Sequence, residues 1–390
     1  MTLLEEYDLR TAWKYEPIRG RFLTHPGLRR KVGPDGRFRP FPGSTVVFRP
    51  DRDTFHLTRL MQSILTGRLL GTGMSADPLP ESTLHMTLHD LMDPERDMAP
   101  GMGEDAYARA VDESLERARD IVRDLREKHA GRQVRLLPDR IVNMVSRSLV
   151  LLLRPVSEED YALLTDLYRP FDRVRALDYP LTPHITLMYF RPGEIDGDRL
   201  GAVLGDMQPD PERSPVLTVG PDALTAQRFS DMAHYRDEPE EICFCCDGGL
   251  NRSVLCADIL NHMAKERGWS LRARARSAFP NTQGQPVPEE VRLTLLRHGI
   301  EPDQADGTAR YLEYRDFAAF SRFVMISRGA ADRFAMLDLP GDRFESLSSL
   351  SYGIPDPASG ATCEEAYACI RARMDRLFGL LEDGAALTDM

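Results

Sequence analysis

The chain has 390 residues, 42% of them hydrophobic and 28% charged, with a formal net charge of −11. That length exceeds one ordinary core and sets two domains as the expectation, and the negative charge excludes broad electrostatic binding of duplex DNA. The longest apolar run, around SLVLLL, ends at Arg154 and is too short for a membrane helix. The opening MTLLEEYDLR carries acidic residues where a signal peptide carries basic ones, and six cysteines do not suggest a disulfide scaffold. The expectation is a cytoplasmic protein with no membrane partner.

In chain order, residues 1–40 mix Gly, Pro and Arg and read as an irregular lead-in. STVVFR is a predicted strand, Thr54 to Leu70 keep helical spacing, and LHMTLHDL alternates. A charged helix is predicted over Glu104 to His129, with Tyr107, Val111, Leu115, Ile121, Val122 and Leu125 as its apolar face. QVRLL and SLVLLLR read as strands, Glu158 to Tyr168 as a helix, and HITLMYF, PVLTV and LTAQRFSDMAHYR as further strands. The acidic stretch Asp237 to Glu241 reads as a linker, which sets the domains at 41–237 and 238–390. Beyond it, the buried run ICFCC opens an alternation of strands and helices, ending in CEEAYACIRARMDRLFGLLE, that favours a parallel sheet with crossover helices.

Two tripeptides carry the chemistry of the first domain, His85-Met86-Thr87 and His184-Ile185-Thr186. Residues i and i+2 of a strand share a face, so each strand presents an imidazole beside a hydroxyl. Two such strands facing one another surround a phosphate. Thr87 and Thr186 donate to its oxygens, while one histidine takes a proton from water and the other protonates the leaving oxygen. His89 falls on the same alternating face, as an accessory group or a surface residue; His56, His129 and His234 read as structural.

LHMTL and PHITL resemble the 2H phosphoesterase superfamily, which includes RNA 2′,3′-cyclic phosphodiesterases, over about residues 40 to 237. The resemblance implies a two-lobed α+β fold with a cleft between antiparallel sheets and metal-independent chemistry. It also implies catalytic roles for His85 and His184, with Thr87 and Thr186 as phosphate ligands.

In the second domain, Cys246 to Ser253 spells C-x5-R-S between the apolar strand and a helix. Strand, tight loop and helix N-terminus form an anion cradle from the backbone N–H groups of Asp247, Gly248, Gly249, Leu250 and Asn251. Cys246 at its mouth is the candidate nucleophile, Arg252 a fork for two phosphoryl oxygens, and Ser253 a hydrogen-bond partner for the sulfur. Cys243, Cys245 and Cys256 read as structural. A metal set of Cys243, Cys246, Cys363 and Cys369 can be drawn but does not form a knuckle. Neither a metal nor a cofactor is expected.

Over about residues 240 to 383 the chain resembles low-molecular-weight protein tyrosine phosphatases. CDGGLNRS stands at their phosphate loop, AKERGW and PEEVRLTLLRHGI follow in the family's order, and YGIPDPASG resembles their Asp-Pro loop. The resemblance implies an α/β parallel-sheet fold and makes Asp356 the general acid. Three positions depart from the family: Gly249 replaces its asparagine, Asn251 its second cysteine, and Ala358 and Ser359 its aromatic wall. Cys363 and Cys369 do not match the cysteine relay of an arsenate reductase.

Two readings stand together at this point. One is a bifunctional phosphoesterase acting on RNA ends or nucleotide cyclic phosphates, its 2H domain leaving a monoester that the cysteine phosphatase removes. The other is a signalling phosphatase acting on a protein substrate, with the 2H domain sensing a ligand. A third, in which one domain is a binding scaffold only, is disfavoured because every catalytic residue type is present.

Overall fold

Runs of β-branched and aliphatic residues set the strands, and amphipathic helices cover them. The computed structural model describes residues 3–12, 15–205, 207–210, 213–269, 271–313, 316–336, 344–346 and 354–382. The chain divides into two units, Met1–Glu238 and Pro239–Met390.

The first unit is built on a nine-stranded antiparallel sheet. Its order is Tyr15–Glu16, Val134–Met144, Ser148–Pro155, His184–Tyr189, Met86–Met92, Gly43–Phe48, Leu224–Asp231 and His234–Glu238, with Leu217–Val219 pairing beside Val134–Met144. Helix Arg52–Leu69 starts where the Asp51 carboxylate accepts the Thr54 N–H at 2.8 Å, and Glu158–Tyr168 where Ser157 caps Asp160. Helix Glu104–Lys128 buries Tyr107, Val111, Leu115, Ala118, Val122 and Leu125; Ile121, expected on that face, is only half-buried.

Three sequence expectations change here. The HxT strands are not on separate sheets across a cleft. They are neighbours within one sheet, paired through Met86 and Ile185, so the two halves of the sheet meet at the motifs. Residues 1–40 are not an irregular lead-in: Leu3–Thr11 is helical, Tyr15–Glu16 joins the large sheet, and Arg21–Leu23 pairs with Glu194–Asp196. Asp237 to Glu241 holds the division between the two units but is strand on either side of Pro239 rather than a solvated linker. Asp237 and Glu240 are buried strand residues, the first accepting from Arg49 at 3.0 Å and Gln227 at 2.8 Å, the second paired with Arg322 at 2.8 Å. Acidic composition reads as solvent-facing, but a buried carboxylate is stable where a guanidinium is fixed beside it.

The second unit holds a four-stranded parallel sheet, in the order Leu271–Ser277, Glu240–Cys246, Arg322–Met325 and Phe344–Ser346. Alternation along Glu240–Cys246 sends Ile242, Phe244 and Cys246 into one core and Cys243 and Cys245 into another. Helix Arg252–Glu266 crosses from this strand to Leu271–Ser277, and the next strand in the chain, Arg322–Met325, lies on the opposite side. Strand order therefore reverses at the carboxyl end of Glu240–Cys246, where open parallel sheets leave a crevice for a ligand. Cys246 ends that strand. Among the described residues, no helix is long and apolar enough to cross a membrane.

Candidate active sites

The register Met86↔Ile185 in an antiparallel pair sets His85 opposite Thr186 and Thr87 opposite His184. Met86 and Ile185 are buried beneath the sheet, so the four half-buried motif residues share the other face. Each imidazole lies across the strand boundary from a hydroxyl of the other motif. The structure brings all four expected residues together.

The imidazoles differ. His184 Nδ1 donates to the Thr182 carbonyl at 2.7 Å, which fixes its tautomer and leaves Nε2 to gain or lose a proton. His85 packs edge-on against Tyr235, ring centroids 4.9 Å apart, and its Nδ1 is sealed from solvent without a partner among the described residues. Burial first, and then the charge of His184, push the His85 imidazole down to about 4. Because the folded value lies below the ordinary 6.5, His85 is a neutral base throughout the neutral range. The acid limb of a diester reaction using it is expected near pH 4, and a measured limb at 6 to 7 would contradict its role as base.

His89 is neither an accessory group nor exposed. Val47 pairs with Thr87 but Val46 with His89, so a bulge at Leu88 breaks the alternation. His89 is buried between Tyr168 and Phe171, with its ring nitrogens 2.8 Å from the Asp90 carbonyl and 3.2 Å from Asp172. No residue pattern in LHMTLHDL marks the bulge. Nor does the sequence single out Tyr235 or Asp90, whose proximity to the motifs arises from strand order.

In the second unit, the Gly249 N–H donates to Cys246 Sγ at 3.2 Å, and the Ser253 hydroxyl lies 3.2 Å from the same sulfur. The loop thus turns a backbone donor inward, onto the atom at its centre. Its outer side is fixed by Ser277, which donates to the Asp247 carbonyl at 2.7 Å, and by Thr282, which donates to that of Gly248 at 2.7 Å. Gly248, Leu250 and Asn251 complete the turn, and Asn251 stands before the first helical residue, Arg252. Gly249 has φ +62°, and a Cβ there would sit 2.7 Å from the Ser277 nitrogen. Gly249→Ala is accordingly expected to lower monoester turnover at least about 100-fold while the unit stays folded, since the strain falls on the cradle. Steady-state kinetics with a circular-dichroism melt check this.

Arg252, largely buried, pairs with Asp356 at 2.7 Å and lies 3.6 Å from Asp247. Asp356 caps the short turn Pro357–Ser359 by accepting the Ala358 N–H at 3.1 Å. Of the Asp-Pro segment, Tyr352 and Gly353 lie outside the described residues. Burial pushes the thiols of Cys243, Cys245 and Cys256 far up, which suits them to the core. The drawn four-cysteine metal set fails on topology, because Cys243 packs on the other side of the sheet from Cys246, Cys363 and Cys369. An aromatic ring does stand near the loop: Phe279 is 37% exposed, and its N–H donates to the same Ser277 hydroxyl that holds Asp247. Phe279 follows the strand Leu271–Ser277 and carried no signal in the sequence.

No family model and no curated protein matches the chain. Solved structures do. A low-molecular-weight protein tyrosine phosphatase from Streptococcus pyogenes is 17% identical, covering 36% of this chain and 93% of its own, with a TM-score of 0.33. YfkJ from Bacillus subtilis is 19% identical over 37% of this chain and 96% of its own, at 0.33. A drosophila arginine phosphatase is 18% identical over 35% and 95%, at 0.31.

Proposed function

We propose that the chain is a two-site phosphoesterase, in which the HxT site opens a 2′,3′-cyclic phosphate or related diester and the cysteine site removes the resulting monoester. The observation that carries the second step is the sulfur of Cys246 at the centre of the cradle, held by the Gly249 N–H and Ser253, with Arg252 paired to Asp356 alongside. In this reaction Cys246 attacks phosphorus, Arg252 and the loop N–H groups hold the phosphoryl oxygens, and Asp356 protonates the departing alkoxide. Asp356 then deprotonates the water that frees phosphate from sulfur, and Ser253 stabilises the sulfur as it leaves.

At the HxT site, the cross-strand pairing of each imidazole with the other motif's threonine supports in-line attack by water. His85 takes the water proton and His184 protonates the leaving oxygen, with Thr87 and Thr186 donating to the non-bridging oxygens. One ester bond breaks there, so that step ends at a monoester. RNA or nucleotide ends are the favoured substrates, and no metal or cofactor enters either step.

A time course on a 2′,3′-cyclic nucleotide tests the coupling. The expected products are a nucleoside and inorganic phosphate, with a transient monoester. Persistence of the monoester with rapid turnover of a phosphotyrosine peptide would favour the signalling phosphatase instead.

A further inference from the structure

The bulge at Leu88 has a second effect. Uninterrupted alternation would put position 89 beside 85 and 87, but the bulge turns His89 into the core and pairs Asp90 with Thr45. Asp90 takes the place in the sheet that His89 would have had. Its carboxylate lies within electrostatic range of His85 and His184 from the two motifs, and of Tyr189 and Tyr235 beside them.

The carboxylate is elaborately held. Tyr179 Oη donates to Asp90 Oδ2, and Arg96 Nη1 donates to that hydroxyl at 3.0 Å while its guanidinium lies 4.8 Å over the Tyr179 ring. Lys31 adds a cation from the short helix Leu28–Lys31. Burial alone would neutralise the carboxyl, but the Tyr179 hydroxyl, Arg96, Lys31 and His184 outweigh it and hold Asp90 below the ordinary carboxylate range. A fixed negative charge near two imidazoles is thereby maintained at neutral pH.

We propose that Asp90 is a positioning residue for the diester reaction, its carboxylate biasing the shared proton onto His184 so that His184 begins each turnover as the acid and His85 as the base. The inference rests on the reading of the HxT site given above. It assigns the two roles from asymmetry in the sheet. Water gives its proton to His85 Nε2 as its oxygen bonds to phosphorus, the bond from phosphorus to the leaving oxygen breaks, and His184 Nε2–H protonates that oxygen. Exchange with solvent then returns a proton from His85 to His184.

The charged and titratable groups around Asp90 are Lys31, Asp93, Arg96, Tyr168, Tyr179, Tyr189, Tyr235, His89 and the two motif histidines, with Asp237 and Arg147 acting on the same cluster. Burial lowers His89 and takes His85 down to about 4, so the test follows His184. The test is the pH dependence of kcat/KM on a 2′,3′-cyclic nucleotide, with imidazole titration by NMR in the full-length protein. Asp90→Asn is expected to move the basic limb and the His184 titration about one pH unit to the acid side, because an attractive charge is lost. Asp90→Glu should restore most of the shift. Lys31→Met removes a cation that competes for the carboxylate and is expected to move both in the opposite direction, which a general folding defect would not do. A His184 titration unchanged in Asp90→Asn and Lys31→Met would overturn the proposal. Because the titration needs no substrate, it decides on Asp90 even if wild-type protein turned over no diester, the result that would sink the HxT reading itself.

Discussion

Cys246→Ser is expected to lower phosphomonoester turnover by roughly four orders of magnitude or more, while diester opening at the other site changes less than twofold. The serine oxygen keeps the hydrogen bonds of Gly249 and Ser253 but remains protonated at neutral pH and leaves phosphorus poorly. Asp356→Asn is expected to lower turnover by about 10² to 10⁴, most for alkyl esters and least for aryl esters, whose leaving groups need no proton. Both follow from steady-state kinetics on p-nitrophenyl phosphate and a nucleoside monophosphate. The competing register is Cys245, which is buried on the other side of the strand. Inactivation by Cys245→Ser in a folded protein, with activity retained in Cys246→Ser, would overturn the assignment.

The second large effect concerns the HxT pair. His85→Ala and His184→Ala are each expected to lower diester turnover by about 10² to 10⁴, with monoester hydrolysis unchanged. The double variant should be little worse than either single one, because base and acid act in one transition state. The losses should differ with leaving group. A diester with a good leaving group, such as a bis-p-nitrophenyl ester, needs no proton from His184 and should retain more activity in His184→Ala than in His85→Ala. Equal loss on both substrates would contradict the division of roles. Fully retained diester turnover in the double variant would place that reaction elsewhere.

Much of this was legible in the sequence for local reasons. HxT on a strand presents an imidazole and a hydroxyl to one face by pleat geometry alone, and both motifs proved to lie at strands. C-x5-R-S between an apolar run and an amphipathic helix folds as strand, loop and helix because its glycines allow the turn and its arginine opens the helix. The left-handed backbone at Gly249 was open to any residue without a Cβ, and the structure uses it.

Other features were hidden because they depend on which strands become neighbours. The acidic run at 237–241 looked like a linker because its cationic partners, Arg49 and Arg322, are remote in the chain. The bulge that moves His89 into the core and brings Asp90 to the motifs exists only in the pairing of Met86–Met92 with Gly43–Phe48. Phe279 was passed over because its nearness to the loop after Cys246 runs through Ser277 of the adjacent parallel strand.

The sequence by itself determined the chemistry available to this protein: two imidazoles and two hydroxyls at strand spacing, and a thiol at the mouth of a glycine-bearing loop that runs into a helix. Those are properties of short segments, set by strand period and loop dihedrals, and they survive reading one segment at a time. The tertiary structure alone decided that His85 faces Thr186, that Arg252 meets Asp356, and that the half-buried carboxylate of Asp90 comes within electrostatic range of the histidines. These are contacts between segments distant in the chain. Their energies come from burial and charge, which have no value until the fold has chosen the neighbours.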